Sequence, residues 1–157
     1  MEKHLKKAKT WNMVLIVLTL ITVISGIAGL PKTLNPTFTE NEVLGDFNRV
    51  MFDYLNSPLT KTISILSLVI SIILLVLYFR ANKSLSDEIL PSKLPYYLYI
   101  GWSLVALAIS LVTTPKMEVE GVDVTFVTTI VGIITNFIFF IPAILVIVHL
   151  FKAEPEE

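Results

Sequence analysis

The chain has 157 residues, 54% of them hydrophobic and 16% charged, and its 12 basic and 13 acidic side chains nearly cancel at a net charge of −1. A soluble domain cannot bury that much apolar surface, and the charge balance offers no basic face to nucleic acid. The absence of cysteine excludes disulfides, thiolate metal sites and thioester lipid anchors. What remains is an all-α integral membrane protein, a single domain over residues 1–157 with the lipid bilayer as its solvent.

Met1–Lys9 is basic, and the apolar run Trp11–Leu30 follows it. That run exceeds the roughly 7–15 residues of a signal-peptide core, so it reads as a retained first span despite the small residues Ser25–Gly29. The connection to the next span opens with Thr39-Glu40-Asn41-Glu42, which fits a capping box. Val43, Leu44, Phe47, Val50, Met51, Tyr54 and Leu55 then recur at helical spacing, with Glu42, Asp46, Arg49 and Asp53 on the opposite face. The pattern predicts a short amphipathic outer helix over about 39–56. Asn56-Ser57-Pro58 ends it and starts the next helix, with Ser57 as N-cap and Pro58 at the first helical position. Its polar face is mostly acidic, which points to packing on protein rather than on anionic lipid, either as a lid over the ends of its own bundle or as a docking surface for a partner. Phe47, Val50, Met51 and Tyr54 are the candidate outer docking surface.

The second span is expected over about 60–80. A short polar connection follows, in which Ser86-Asp87-Glu88 reads as the start of a helical turn that Pro91 stops. The third span, about 96–114, begins with Tyr96, Tyr97, Tyr99 and Trp102. Beyond it, Met117, Val119, Val122 and Val124 alternate with Glu118, Glu120 and Asp123 around Gly121, a period-two pattern that suggests a small outer β-hairpin. The fourth span covers about 126–151. The apolar runs Trp11–Leu30, Ile63–Phe79, Tyr96–Val112 and Val127–Phe151 contain no Asp, Glu, Lys or Arg. The fold class is therefore a four-span helix bundle.

Charge sets the expected orientation. With the N-terminus inside, Lys3, Lys6, Lys7, Lys9, Arg80, Lys83, Lys93 and Lys152 are cytoplasmic, and only Lys32, Arg49, Lys61 and Lys116 of the 12 lie outside. Both termini are then cytoplasmic and the location is a cell membrane. Trp11, Tyr78, Tyr96, Tyr97, Tyr99 and Trp102 cluster toward that same side, where an interfacial aromatic belt belongs.

Each span also carries one stripe of small or hydroxyl residues: Thr19, Thr22, Gly26 and Gly29; Thr60, Ser64, Ser67 and Ser71; Ser103, Ala106 and Ser110; Thr125, Thr128, Gly132 and Asn136. Such stripes let helix backbones approach. Asn136, Ser64, Ser67, Ser71 and Thr22 are the candidate intramembrane polar contacts. Asn136, six residues before Pro142, is expected to bond a neighbouring helix.

No nucleophile–base set, metal-ligand spacing or phosphate loop occurs in the sequence, and His4 and His149 lack a partner at helical spacing. No catalytic, cofactor or metal site is expected. The leading expectation is a non-catalytic accessory or scaffold subunit of a larger membrane complex, with a membrane-protein partner or a second copy of the chain. A toxin- or bacteriocin-immunity protein is one alternative. A small channel or transporter for an uncharged solute is the other.

Overall fold

The computed structural model describes residues 2–38, 47–116, 118–119, 122–123 and 125–154. The elements are α1 (Glu2–Leu34), α2 (Phe47–Asn56), α3 (Pro58–Ser86), α4 (Leu94–Thr113), β1 (Glu118–Val119), β2 (Val122–Asp123) and α5 (Thr125–Phe151). Four helices, α1, α3, α4 and α5, are long and apolar enough to cross a membrane. At 1.5 Å per residue the 20 residues of α4 reach about 30 Å, one hydrocarbon thickness. The 33 residues of α1 and 29 of α3 extend well past the apolar runs.

Local chemistry sets these ends. Glu2 in the first turn of α1 favours the positive end of the helix dipole and pairs with Lys6 one turn on, so the basic tail is helical from its start. Ser57 accepts a hydrogen bond from the Thr60 amide at 3.2 Å and Pro58 opens α3, as the sequence implies. The other end of α3 departs from expectation. Ser86 finishes the helix instead of starting a turn. Glu88 takes a left-handed backbone (φ 58°) and the Ile89 amide reaches back to the Ser84 carbonyl at 2.8 Å. This closing motif satisfies a terminal carbonyl that Ser86-Asp87-Glu88 would otherwise leave open.

The expected capping box at Thr39–Glu42 and the first apolar positions, Val43 and Leu44, lie outside the described residues. Within α2, Met51 and Tyr54 are half-buried, whereas Val50 is 46% exposed. The Phe52 ring meets Phe38 edge-on with centroids 5.6 Å apart. Phe52, which the apolar spacing does not select, is thus half-buried beside Met51 and Tyr54. β1 and β2 pair antiparallel through Glu118–Asp123 and Val119–Val122. The positions between and beside these pairs, Met117, Glu120, Gly121 and Val124, lie outside the described residues, and a hairpin over the whole alternating stretch is not established.

The long helices alternate in direction. The start of α1, the end of α3, the start of α4 and the end of α5 therefore share one pole of the bundle. The core sits there. Leu5, Ala8, Leu15 and Ile16 of α1 pack with Leu74, Tyr78, Ala81 and Leu85 of α3, Tyr96 of α4, and Ala143, Val146 and Leu150 of α5. α1 packs most extensively on α3 and α5. α4 buries only Pro95 and Tyr96, both in its first turn.

Candidate functional site

A hydrogen-bonded knot holds the packed pole together. Asn12 is fully buried. Its Nδ2 donates to the Tyr78 carbonyl at 3.0 Å, and its Oδ1 accepts from the Tyr96 hydroxyl at 2.9 Å. The Tyr78 and Tyr96 rings stack at 5.5 Å between centroids, 19° from parallel. One amide thereby ties α1 to α3 and α4. Two of the aromatic residues expected in an interfacial belt, Tyr78 and Tyr96, are instead interior, because their rings fill the core and Asn12 receives one hydroxyl. The Tyr78 hydroxyl and Asn82 Oδ1 are buried with no hydrogen-bond partner among the described residues. Nearby, Lys93 pairs with Glu154 and lies 3.7 Å from the centre of the Phe151 ring.

Above the knot the four long helices border a half-open cavity of about 550 Å³. α1 contributes Leu15, Leu18, Thr19 and Thr22; α3 contributes Ser67, Ile70, Ser71 and Leu74. α4 adds Tyr99, Trp102, Ser103, Ala106, Leu107 and Ser110; α5 adds Gly132, Thr135, Asn136 and Phe139. Part of each small-residue stripe faces this space: Thr19 and Thr22, Ser67 and Ser71, Ser103, Ala106 and Ser110, and Gly132 and Asn136, whereas Gly26, Gly29, Thr60, Ser64, Thr125 and Thr128 do not line it. The residues that do line it border open space rather than interlocking there. A Cβ added at Gly132 would meet nothing within 4 Å, whereas one at Gly26, nearby on α1, would come within 2.8 Å of a Leu68 methyl. Close helix approach is realised between α1 and α3 at Gly26 and not at Gly132.

The polar side chains mostly satisfy themselves. Asn136 Nδ2 donates to the Gly132 carbonyl of its own helix at 3.0 Å. That replaces the expected bond to a neighbouring helix, because the carbonyl one turn back is always within reach of a short side chain. Thr22 bonds the Leu18 carbonyl, Ser64 the Thr60 carbonyl and Ser71 the Ser67 carbonyl, each four residues back. Ser67 alone of the candidate contacts is bridged to another helix, accepting from Trp102 Nε1 at 3.2 Å. Tyr99 donates to the Phe139 carbonyl at 3.3 Å, on the turn of α5 just before Pro142. No lining residue carries a formal charge at neutral pH, and no group of three or more metal-ligating side chains occurs among the described residues. The walls offer hydroxyls, an amide and two aromatic polar edges to an uncharged occupant. They hold no nucleophile beside a base.

Sequence reasoning missed Asn12, which follows Trp11 at the mouth of the first apolar run and looks like a boundary residue. It also missed the meeting of His4 and His149, whose Nδ1 atoms lie 3.3 Å apart across 145 residues of chain. Helical spacing cannot reveal a pair made between the two ends of a sequence. No family model, curated protein or solved structure matches the chain.

Proposed function

We propose that the protein is a non-catalytic multi-pass membrane protein, inserted with both termini cytoplasmic, that serves as an accessory or scaffold subunit of a larger membrane complex. One observation carries this reading: small and hydroxyl residues of all four long helices, the type that helix–helix contacts in lipid use, border a cavity that the described helices leave half open. A transmembrane helix of a partner, or of a second copy, laid beside α4 would cover them. The sparsely buried α4 is the element it would pack against. The charge asymmetry of the connections supports the orientation.

The absence of cysteine gives a clean test. Ser103→Cys and Ser110→Cys, cross-linked in native membranes, should each yield an adduct of discrete mass identifiable by mass spectrometry. Phe137→Cys and Ile138→Cys, on exposed positions of α5, should not. Adducts from all four sites, or from none, would overturn the subunit reading. Orientation is checked separately with Thr37→Cys and Ser84→Cys: an impermeant reagent applied to intact cells should label position 37 only.

A second reading, binding or passage of an uncharged solute, is favoured by the polar but chargeless lining of the cavity. Flux of neutral solutes into liposomes containing the protein, abolished by Asn136→Leu with unchanged thermal stability, would select it over the first.

A further inference from the structure

His4 in the first turn of α1 and His149 in the last turn of α5 meet outside both the knot and the cavity. Their rings are 5.5 Å apart, tilted by 37°, with Nδ1 facing Nδ1 at 3.3 Å. A hydrogen bond between two imidazole nitrogens needs one donor and one acceptor, so at least one ring must be neutral. We propose that this pair is a pH-sensitive latch, closed when at least one imidazole is neutral and released when both are protonated.

The surroundings amplify the effect. Lys3 and Lys7 act on His4 from its own helix, and Lys152 acts on both rings from the residue after α5. Among the described residues the nearby carboxylates are otherwise engaged: Glu2 with Lys6, Glu154 with Lys93, while Glu88 just past the end of α3 acts on Lys6. A second imidazolium would therefore form among like charges. His4 is already held below the ordinary imidazole range, first by loss of solvation and then by the positive charges of Lys152, Lys7 and Lys3. The sign follows. The closed end binds protons less readily than the released end, so the latch is at full strength above the free imidazole value of about 6.5 and weakens as pH falls below it. The nitrogen separation would also suit a tetrahedral metal, whose bite is about 3.4 Å at bonds of about 2.05 Å. The lysines repel a dication, and no third ligand joins the pair among the described residues.

The chain's 2 histidines make the titration directly readable. In the full-length protein in nanodiscs, the two imidazole NMR signals should titrate as a coupled pair, the second proton binding about tenfold more weakly than the first. In His149→Gln the remaining His4 signal should show one simple titration. Spin labels at Thr10→Cys on α1 and Phe151→Cys at the end of α5, both exposed positions, should give a narrow distance distribution at pH 8 that broadens and lengthens at pH 5. Adding His4→Gln should hold it narrow at both pH values, since a neutral amide can bond either form of His149. Independent titration of the two rings, an unchanged distance at pH 5, or broadening that persists with His4→Gln would each overturn the proposal.

Discussion

The two halves of the bundle solve the same problem in opposite ways. At the pole shared by the termini, polar groups are buried and bonded between helices: Asn12 joins Tyr78 and Tyr96, and large side chains fill the space around them. In the half that holds the cavity, the aromatic donors Trp102 and Tyr99 reach across to Ser67 and the Phe139 carbonyl, yet the short side chains Thr22, Ser64, Ser71 and Asn136 turn back onto their own helices. A carbonyl one turn back is always within reach of a short side chain, and using it demands nothing of a neighbour. The first arrangement fixes which helices meet. The second satisfies a side chain without a neighbouring helix and leaves most of the short polar side chains uncommitted to a neighbour. Hydroxyl content is therefore a poor guide to where a membrane bundle is welded; what matters is whether a polar group has its own backbone as an alternative partner. Asn12 uses both ends of its amide on other helices.

The largest way to break this contrast is Asn12→Leu. It removes both interhelical bonds and leaves the Tyr96 hydroxyl buried without an acceptor, so it should destabilise the bundle by about 2–3 kcal/mol in a reversible unfolding assay in mixed micelles. Tyr96→Phe deletes one of the two bonds and should lose about 1 kcal/mol. If Asn136→Leu proved as damaging as Asn12→Leu, the division between welded and self-satisfied polar groups would be wrong.

Two glycines sharpen the contrast with a change of sign. Gly132→Ala adds a methyl into open space and should gain about 0.5–1 kcal/mol from helix propensity in the isolated chain. Gly26→Ala drives the same methyl against Leu68 and should gain less, or lose stability if that side chain cannot turn aside. Unfolding midpoints of the two variants side by side give the answer. Equal gains would mean that α1 and α3 do not approach closely at Gly26.

The smallest expected effect is Tyr78→Phe. Its hydroxyl is buried and unbonded among the described residues, so deleting it should change stability by less than about 0.5 kcal/mol, or raise it slightly. A loss comparable to that of Tyr96→Phe would reveal a partner for this oxygen.

The sequence makes the four long helices legible because length and the absence of charge are one-dimensional signals. The junction Asn56-Ser57-Pro58 is legible for the same reason, since cap and proline act within one turn. The inner face is harder. In water an apolar stripe marks the core, but lipid is as apolar as the interior, so Leu74 at the core and Ile73 at the surface carry the same signature. The small-residue stripes did mark part of the inward side. They could not say whether that side would be filled. Tyr78 and Tyr96 resembled a headgroup belt because the interface and a polar knot within a bundle both favour a ring with a hydroxyl at its edge. Their interior position became visible only through Asn12.

Trp102 gives the cavity a voice of its own. The chain has 2 tryptophans; Trp11 packs against the core, and Trp102 lines the cavity with its indole nitrogen on Ser67. Trp11→Phe would leave Trp102 as the single tryptophan, excitable apart from the 5 tyrosines at the red edge of the absorption band. Its emission colour would then track what fills the space, shifting toward the blue when a hydrocarbon chain or a partner helix enters and toward the red when water does. The unmodified side chain thus serves as a built-in gauge of occupancy, readable in any bilayer without a label.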